Sequence, residues 1–77
     1  MADTSYNGWT NYETWNVALY IQNEEPLYRI ALRSDDYADF LMASKHMRGV
    51  YTPDGVQWHS KKLDWDELDD MIVELRS

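Results

Sequence analysis

The chain has 77 residues, a mass of 9.2 kDa and no cysteine, which excludes disulfides, thiolate metal sites and cysteine nucleophiles. Seven basic residues against fourteen acidic ones give a net charge of −7, which argues against a general nucleic-acid binder and against binding to anionic membranes. This length predicts one domain spanning residues 1–77. Because the sequence has no apolar run with a length of about 18 residues and no recognisable signal peptide, we expect a soluble protein of the cytoplasm.

Aromatic rings supply much of the hydrophobic content, with four Trp, six Tyr and one Phe. A small domain without disulfides or metal needs the large area that rings bury, so we expect most of them to be structural. Between Tyr6 and Trp15 there are four rings and no Lys or Arg, and stacking on nucleic-acid bases is therefore not expected.

The N-terminal third predicts one helix. Residues 1–7 show no periodicity, and we expect a loose N-terminal arm. Thr10 and Glu13 have the spacing of a capping box, in which the Thr hydroxyl accepts from the backbone N–H three residues on. A first helix is predicted over about residues 11–23, with an inward stripe of Tyr12, Trp15, Ala18 and Leu19 that is widened by Val17, Tyr20 and Ile21.

Two shorter helices are predicted next. Pro26 suits the first turn of a second helix, which should end near Arg33. Ser34 is placed to cap a third helix. We expect the last turn of this helix at residues 45–48, with Gly49 just past its end. Its inward face is Tyr37, Phe40, Leu41 and Ser44.

A turn and a final helix complete the pattern. Residues 51–56 have turn chemistry, because Pro53 fixes φ and Gly55 supplies a positive φ, and their flanks can pair as a minimal hairpin. Asp64 and Glu67 repeat the capping-box spacing and start a last helix, with a stripe of Trp65, Leu68, Met71, Ile72 and Leu75. The predicted fold class is all-α, a compact small bundle of about four short helices with a Pro-Asp-Gly turn loop before the last one.

Catalytic and metal-binding patterns are weak. His46 suits a helix end, where its charge favours the dipole, and His59 lies in a polar loop. Ser44 and Ser60 are near them in sequence, but neither sits in a strand–turn–helix elbow. The acids of the last helix fan over its outer face and do not converge as a hard cation requires. We predict no catalytic residue, no cofactor and no metal.

Charge is uneven along the chain. Residues 51–77 carry seven acids against three Lys and Arg, and the last helix has an acidic outer face made of Asp66, Asp69, Asp70 and Glu74. Such a field would steer a basic partner towards this helix. The alternative is that the acids only keep an aromatic-rich domain soluble.

One segment resembles a known family. The sequence WTNYETWNVALYI at residues 9–21 resembles the N-terminal stretch of a family of small uncharacterised proteins, encoded by bacteriophages and found also on plasmids and in bacterial genomes. TPDGV at 52–56 and LDWDEL at 63–68 resemble its second block. The resemblance supplies no activity, but it implies a phage or mobile-element origin and action inside a bacterial cell. Within the motif, Asn16 is either a satisfied structural group or a partner contact, and we favour the structural role.

These observations predict a small, acidic, non-enzymatic intracellular protein. It would bind a host or phage protein with a basic surface through Asp66, Asp69, Asp70 and Glu74, as an inhibitor or modulator of a host factor. The alternative is a structural or self-associating protein, in which Tyr20 and Tyr28 form a symmetric interface. A small hydrolase that uses His59 is less favoured.

Overall fold

Four helices build the protein in the computed structural model, which describes Tyr6 and residues 8–77. The helices are α1 (Tyr12–Asn23), α2 (Glu25–Leu32), α3 (Tyr37–Ser44) and α4 (Trp65–Arg76). Over the described residues the only extended pairing consists of two isolated antiparallel bridges, so the predicted all-α bundle is confirmed. The loose arm predicted for residues 1–7 lies outside the described residues, except for Tyr6.

The core is formed where α2 packs against the other three helices, and α4 also contacts α1 and α3. Tyr37 stacks on Phe40 with ring centroids 5.9 Å apart, and Trp65 meets Tyr37 edge-on at 5.0 Å. The buried Tyr37 hydroxyl donates to the carbonyl of Trp58 at 2.6 Å, and burial raises the pKa of this phenol. The buried apolar set is Val17, Ala18, Ile21, Leu27, Ala31, Tyr37, Phe40, Leu41, Val56, Trp58, Leu63, Leu68, Met71 and Ile72.

Of the stripe that the sequence predicts on α1, Val17, Ala18 and Ile21 are buried, whereas Tyr12 and Trp15 are not. Tyr12 is exposed and Trp15 is half-buried. Both rings pack with Tyr6 in a cluster at the surface and not in the core. Ring centroids in this cluster are 4.7 to 5.7 Å apart. The face that is buried consists of Thr14, Asn16, Val17, Ala18 and Ile21. Two polar residues can be buried there because each has hydrogen-bond partners on another segment.

The N-termini of α1 and α4 cap each other. Asn11, and not the predicted Thr10, is the N-cap of α1, and its side chain accepts from the backbone N–H of Thr14. Thr10 faces α4: its hydroxyl donates to Asp64 at 2.7 Å, and its backbone N–H donates to Glu67 at 2.9 Å. In return, the backbone N–H of Asp64 donates to the Thr14 hydroxyl at 2.9 Å. We call these five residues the shared cap.

Asp64 carries the α4 side of the shared cap. As predicted, its side chain is the N-cap of α4 and accepts from the backbone N–H of Glu67 at 3.1 Å. The Thr10 hydroxyl and this N–H, both donating to the carboxylate, lower the pKa of Asp64 below its ordinary value. The side-chain amide of Asn11 adds a bond to the carbonyl of Lys62 at 2.6 Å.

The caps around α3 also differ from the predictions. Ser34 does not cap α3; its hydroxyl donates back to the carbonyl of Ile30 at 2.8 Å, at the end of α2. The N-cap of α3 is Asp36, which accepts from the backbone N–H of Asp39. A serine has both options in such a short link, and the free carbonyls of α2 offer the nearer partner.

α3 ends at Ser44, one turn earlier than predicted. The side chain of Arg48 folds back over this end. Its Nε donates to the Ser44 hydroxyl and its Nη2 to the carbonyl of Leu41, both at 2.8 Å. The guanidinium thus satisfies acceptors at the helix end.

The Pro-Asp-Gly loop forms the minimal hairpin that the sequence allows. Tyr51 and Gln57 make an antiparallel bridge, and the backbone N–H of Thr52 donates to Val56 at 2.7 Å. Gly55 has a φ of +89°, the left-handed conformation that a residue with a Cβ rarely adopts. The ladder is too short to count as a pair of strands.

Replacing Asp64 by Ala should destabilise the protein by about 1–2 kcal/mol, because the α4 cap and the bond from Thr10 are lost together. The measurement is the free energy of unfolding from urea titration at pH 7. Asp66→Ala, an exposed acid in the same helical turn, is the matched control and should cost only a few tenths of a kcal/mol.

The difference between wild type and Asp64→Ala should depend on pH. Because the folded protein lowers the pKa of Asp64, the stabilisation is fully present above the unfolded value of about 3.9 and is lost as the pH falls through the lower folded value. A difference in unfolding free energy that stays constant down to about pH 2 would contradict the role of the ionised carboxylate.

Candidate functional site

The acidic side of α4 contains the four residues that the sequence nominates. Asp66, Asp70 and Glu74 are exposed and follow one another at intervals of four residues, so they lie along one side of the helix. Asp69 is half-buried, and its carboxylate accepts from the backbone N–H of Tyr37 at 2.8 Å. The structure therefore leaves three of the four carboxylates open to a partner and assigns Asp69 to the N-terminus of α3.

A groove of about 480 Å³ runs beside this row of acids, between α4 and the entry to α1. Its apolar lining comes from Trp9, Met71 and Leu75. Its charged lining is acidic only, since it holds three carboxylates and no Lys or Arg. We call it the acidic groove; its lining residues are Gly8, Trp9, Gln22, Glu67, Asp70, Met71, Glu74 and Leu75.

The shared cap and one side-chain contact shape this groove. The backbone N–H of Thr10 donates to the Glu67 carboxylate, and this bond places the preceding Trp9 against α4. The Gln22 amide donates to the Met71 sulfur at 3.3 Å and closes the other end of the contact between α1 and α4. The sequence could nominate Asp70 and Glu74, but not the groove floor, because Trp9 comes from a distant part of the chain.

The groove suits a cationic group on an apolar stem. Glu67 has one carboxylate oxygen bound to the backbone N–H of Thr10, whereas Asp70 and Glu74 are exposed.

Among the described residues, no three His, Asp or Glu side chains are grouped as a metal ion would require. No helix in the described part of the chain is long and apolar enough to span a membrane.

Asn16 lies at the centre of a polar network. Both ends of its buried side-chain amide have hydrogen-bond partners within the protein, which agrees with the structural role that we favour for it. Its amide nitrogen donates to Asp54 at 2.7 Å, and its amide oxygen accepts from the Thr52 hydroxyl at 2.7 Å. The Tyr20 hydroxyl donates to the same Asp54 oxygen at 3.1 Å. This network fixes the minimal hairpin on α1.

The histidines and serines considered for catalysis lie apart from this groove. His46 and His59 are exposed. Ser44 is buried and its hydroxyl accepts from Arg48, whereas Ser60 accepts from the backbone N–H of Lys62 at 3.0 Å. No Ser–His hydrogen bond occurs in the part of the chain that the structure describes.

The two tyrosines considered for self-association, Tyr20 and Tyr28, are both half-buried. Tyr20 packs against the core, and burial together with the bond to Asp54 raises the pKa of its phenol. The more exposed apolar side chains lie elsewhere, at Met42, Met47, Val50, Tyr51 and Val73.

A comparison with protein families finds one family model that covers almost the whole chain. A family model described as a family of unknown function, DUF7249, matches residues 2–77, so the chain belongs to this family. No curated protein and no solved structure matches the chain. The expectation of an uncharacterised family is thus met, and the match supplies no activity.

Replacing Asn16 by Asp tests the buried network. The variant places a second carboxylate beside Asp54 in a fully buried position, and we expect a loss of about 3 kcal/mol or more in the free energy of unfolding at pH 7. The loss should shrink near pH 4.5, because one proton shared by the two carboxyls removes the repulsion. Equal losses at both pH values would contradict this origin.

Proposed function

We propose that this member of the DUF7249 family is a binding protein without catalytic activity, which docks on a partner protein through the acidic side of α4. The partner is a host or phage protein with a basic surface, met in the cytoplasm of a bacterial cell, and the complex inhibits or modulates that partner. The observation that carries the proposal is the acidic groove, in which an apolar floor lies beside carboxylates with no neutralising cation in its lining.

Charge supplies the first part of the argument. Asp66, Asp70 and Glu74 are exposed along one side of α4, and Glu67 adds a fourth carboxylate at the groove. The one basic residue of α4, Arg76, donates to Asp35 at 3.2 Å. The resulting negative field would raise the rate at which a basic partner associates at low salt.

The apolar floor supplies the second part. Affinity in protein interfaces comes mostly from a few well-packed anchors, which charges at the rim do not provide. Trp9 and Leu75 are half-buried beside Met71, so an apolar stem of a Lys, Arg or Met side chain can cover them. An apolar floor beside the acids favours a docking surface over acids that only confer solubility.

Self-association is the second candidate, and the exposed apolar side chains between Met42 and Tyr51 favour it. Sedimentation at high protein concentration separates the two candidates. A strict monomer supports docking on a different protein, whereas a concentration-dependent dimer supports self-association.

Reversing two charges of the groove tests the proposal. Asp70→Lys with Glu74→Lys should weaken capture of partners from bacterial lysate at low salt by about tenfold or more. Raising the salt should weaken capture by the wild type, because exposed charges are screened. Asp69 is left unchanged, because its loss would damage the N-terminus of α3.

The matched control is Glu24→Lys with Glu25→Lys, which changes the net charge equally but lies at the start of α2, outside the groove. We expect this control to retain the partners, with circular dichroism confirming that both variants are folded. Capture of the same partners by the groove variant as by the wild type would show that the groove is not the docking site.

A further inference from the structure

A second cavity, of about 310 Å³, lies between the end of α1, the start of α2 and the segment that leads from α3 into the minimal hairpin. Tyr20, Tyr51 and Trp58 line it together with Arg48 and Glu24. None of these residues belongs to the acidic groove. We call it the Arg48 cavity; its volume is at the small end of the range for ligand sites, about 300–1,000 Å³.

Arg48 places a cation in this cavity without a neutralising partner. Its guanidinium is partly buried, and burial lowers its pKa. Three of its five N–H groups donate to neutral oxygens, on Ser44, Leu41 and Gly49, so two have no acceptor among the described residues. Neither ion pair found among the described residues includes Arg48. A half-buried guanidinium in this state favours an incoming anion, and its planar fork matches the two oxygens of a carboxylate.

Trp58 provides an independent observation. Its side chain is only 2 % exposed, and its Nε1–H is the buried side-chain donor in the described part of the chain that lacks an acceptor. Its ring lies under Arg48, with 5.8 Å between the guanidinium carbon and the ring centroid. Because the ring contacts Arg48, the Trp58 indole reports on any change at the guanidinium, and its unpaired donor marks an unsatisfied polar group beside the cavity.

The rest of the lining suits a flat apolar body. Tyr51 and Met47 are each 56 % exposed, and Pro53 adds a further apolar surface to the lining. We propose that the Arg48 cavity binds a small aromatic carboxylate, whose carboxylate accepts from the two free N–H groups of Arg48 and whose ring packs against Tyr51 and Pro53.

The negative charges near the Arg48 cavity affect how tightly it would bind an anion. Glu24 is exposed at the cavity and repels an anion, whereas the Asp54 carboxylate next to Tyr20 is already bound by Asn16 and Tyr20. Removing the charge of Glu24 should therefore tighten binding, which is the opposite of what a cation site would show.

The test is a titration of the full chain with 3-phenylpropionate, followed by two-dimensional ¹H–¹⁵N NMR. We expect saturable movement of the Trp58 Nε1–H signal, which Trp58→Phe identifies. The uncharged 3-phenylpropanamide is the matched ligand and should bind about tenfold more weakly or not at all. Equal binding of acid and amide, or movement confined to signals of the acidic groove, would overturn the proposal.

Variants give a second measurement. Arg48→Lys keeps the charge but removes the planar fork, and should weaken binding by about tenfold. Because Arg48 also holds the end of α3, Glu24→Gln and Tyr51→Ala keep the test decisive if that variant does not fold. The first should bind the acid about twofold or more tighter and the second more weakly. Val50→Ala, an exposed neighbour outside the cavity, should bind as the wild type does. Unchanged affinity in both Glu24→Gln and Tyr51→Ala would overturn the proposal.

Discussion

The shared cap between α1 and α4 is the interaction on which the arrangement of the protein depends. Both helices leave backbone N–H groups unpaired at their first turns, and each supplies part of what the other needs. Thr10 and Asp64, 54 residues apart in sequence, meet through a hydrogen bond of 2.7 Å. This contact sets the two N-termini side by side, and the position of Trp9 on α4 follows from it.

Local sequence signals predicted the elements well, because they depend on residues close in the chain. Pro26 marks the start of α2, Gly55 adopts the positive φ of its turn, and Asp64 caps α4. The helix count and the all-α class follow from such signals. Each has a physical cause within one helical turn.

Long-range competition for hydrogen bonds explains the wrong N-cap of α1. Thr10 has a capping-box spacing, yet Asp64 and Glu67 occupy its hydroxyl and its N–H, and Asn11 takes its place. Asp69 looks free in the sequence, but its carboxylate accepts from the backbone N–H of Tyr37 at the start of α3. The acidic groove and the Arg48 cavity could not be predicted, because segments far apart in sequence form their linings.

The acids of this chain therefore divide into two groups. Asp36, Asp54, Asp64 and Asp69 accept hydrogen bonds that hold helices or the minimal hairpin in place. Others remain at the surface, where they can act on a partner. The net charge of −7 is therefore in part structural, since ionised carboxylates are strong acceptors for backbone N–H groups.

The reciprocal form of the shared cap also bears on how the molecule opens. In most helices the first turn frays independently, and its amide hydrogens exchange rapidly with solvent. Here the backbone N–H of Thr14 donates to Asn11 and that of Glu67 donates to Asp64. The Thr14 hydroxyl joins the first turns of the two helices, because it accepts from the backbone N–H of Asp64. Because opening of either first turn removes bonds of the other, we expect the two ends to exchange as one cooperative unit.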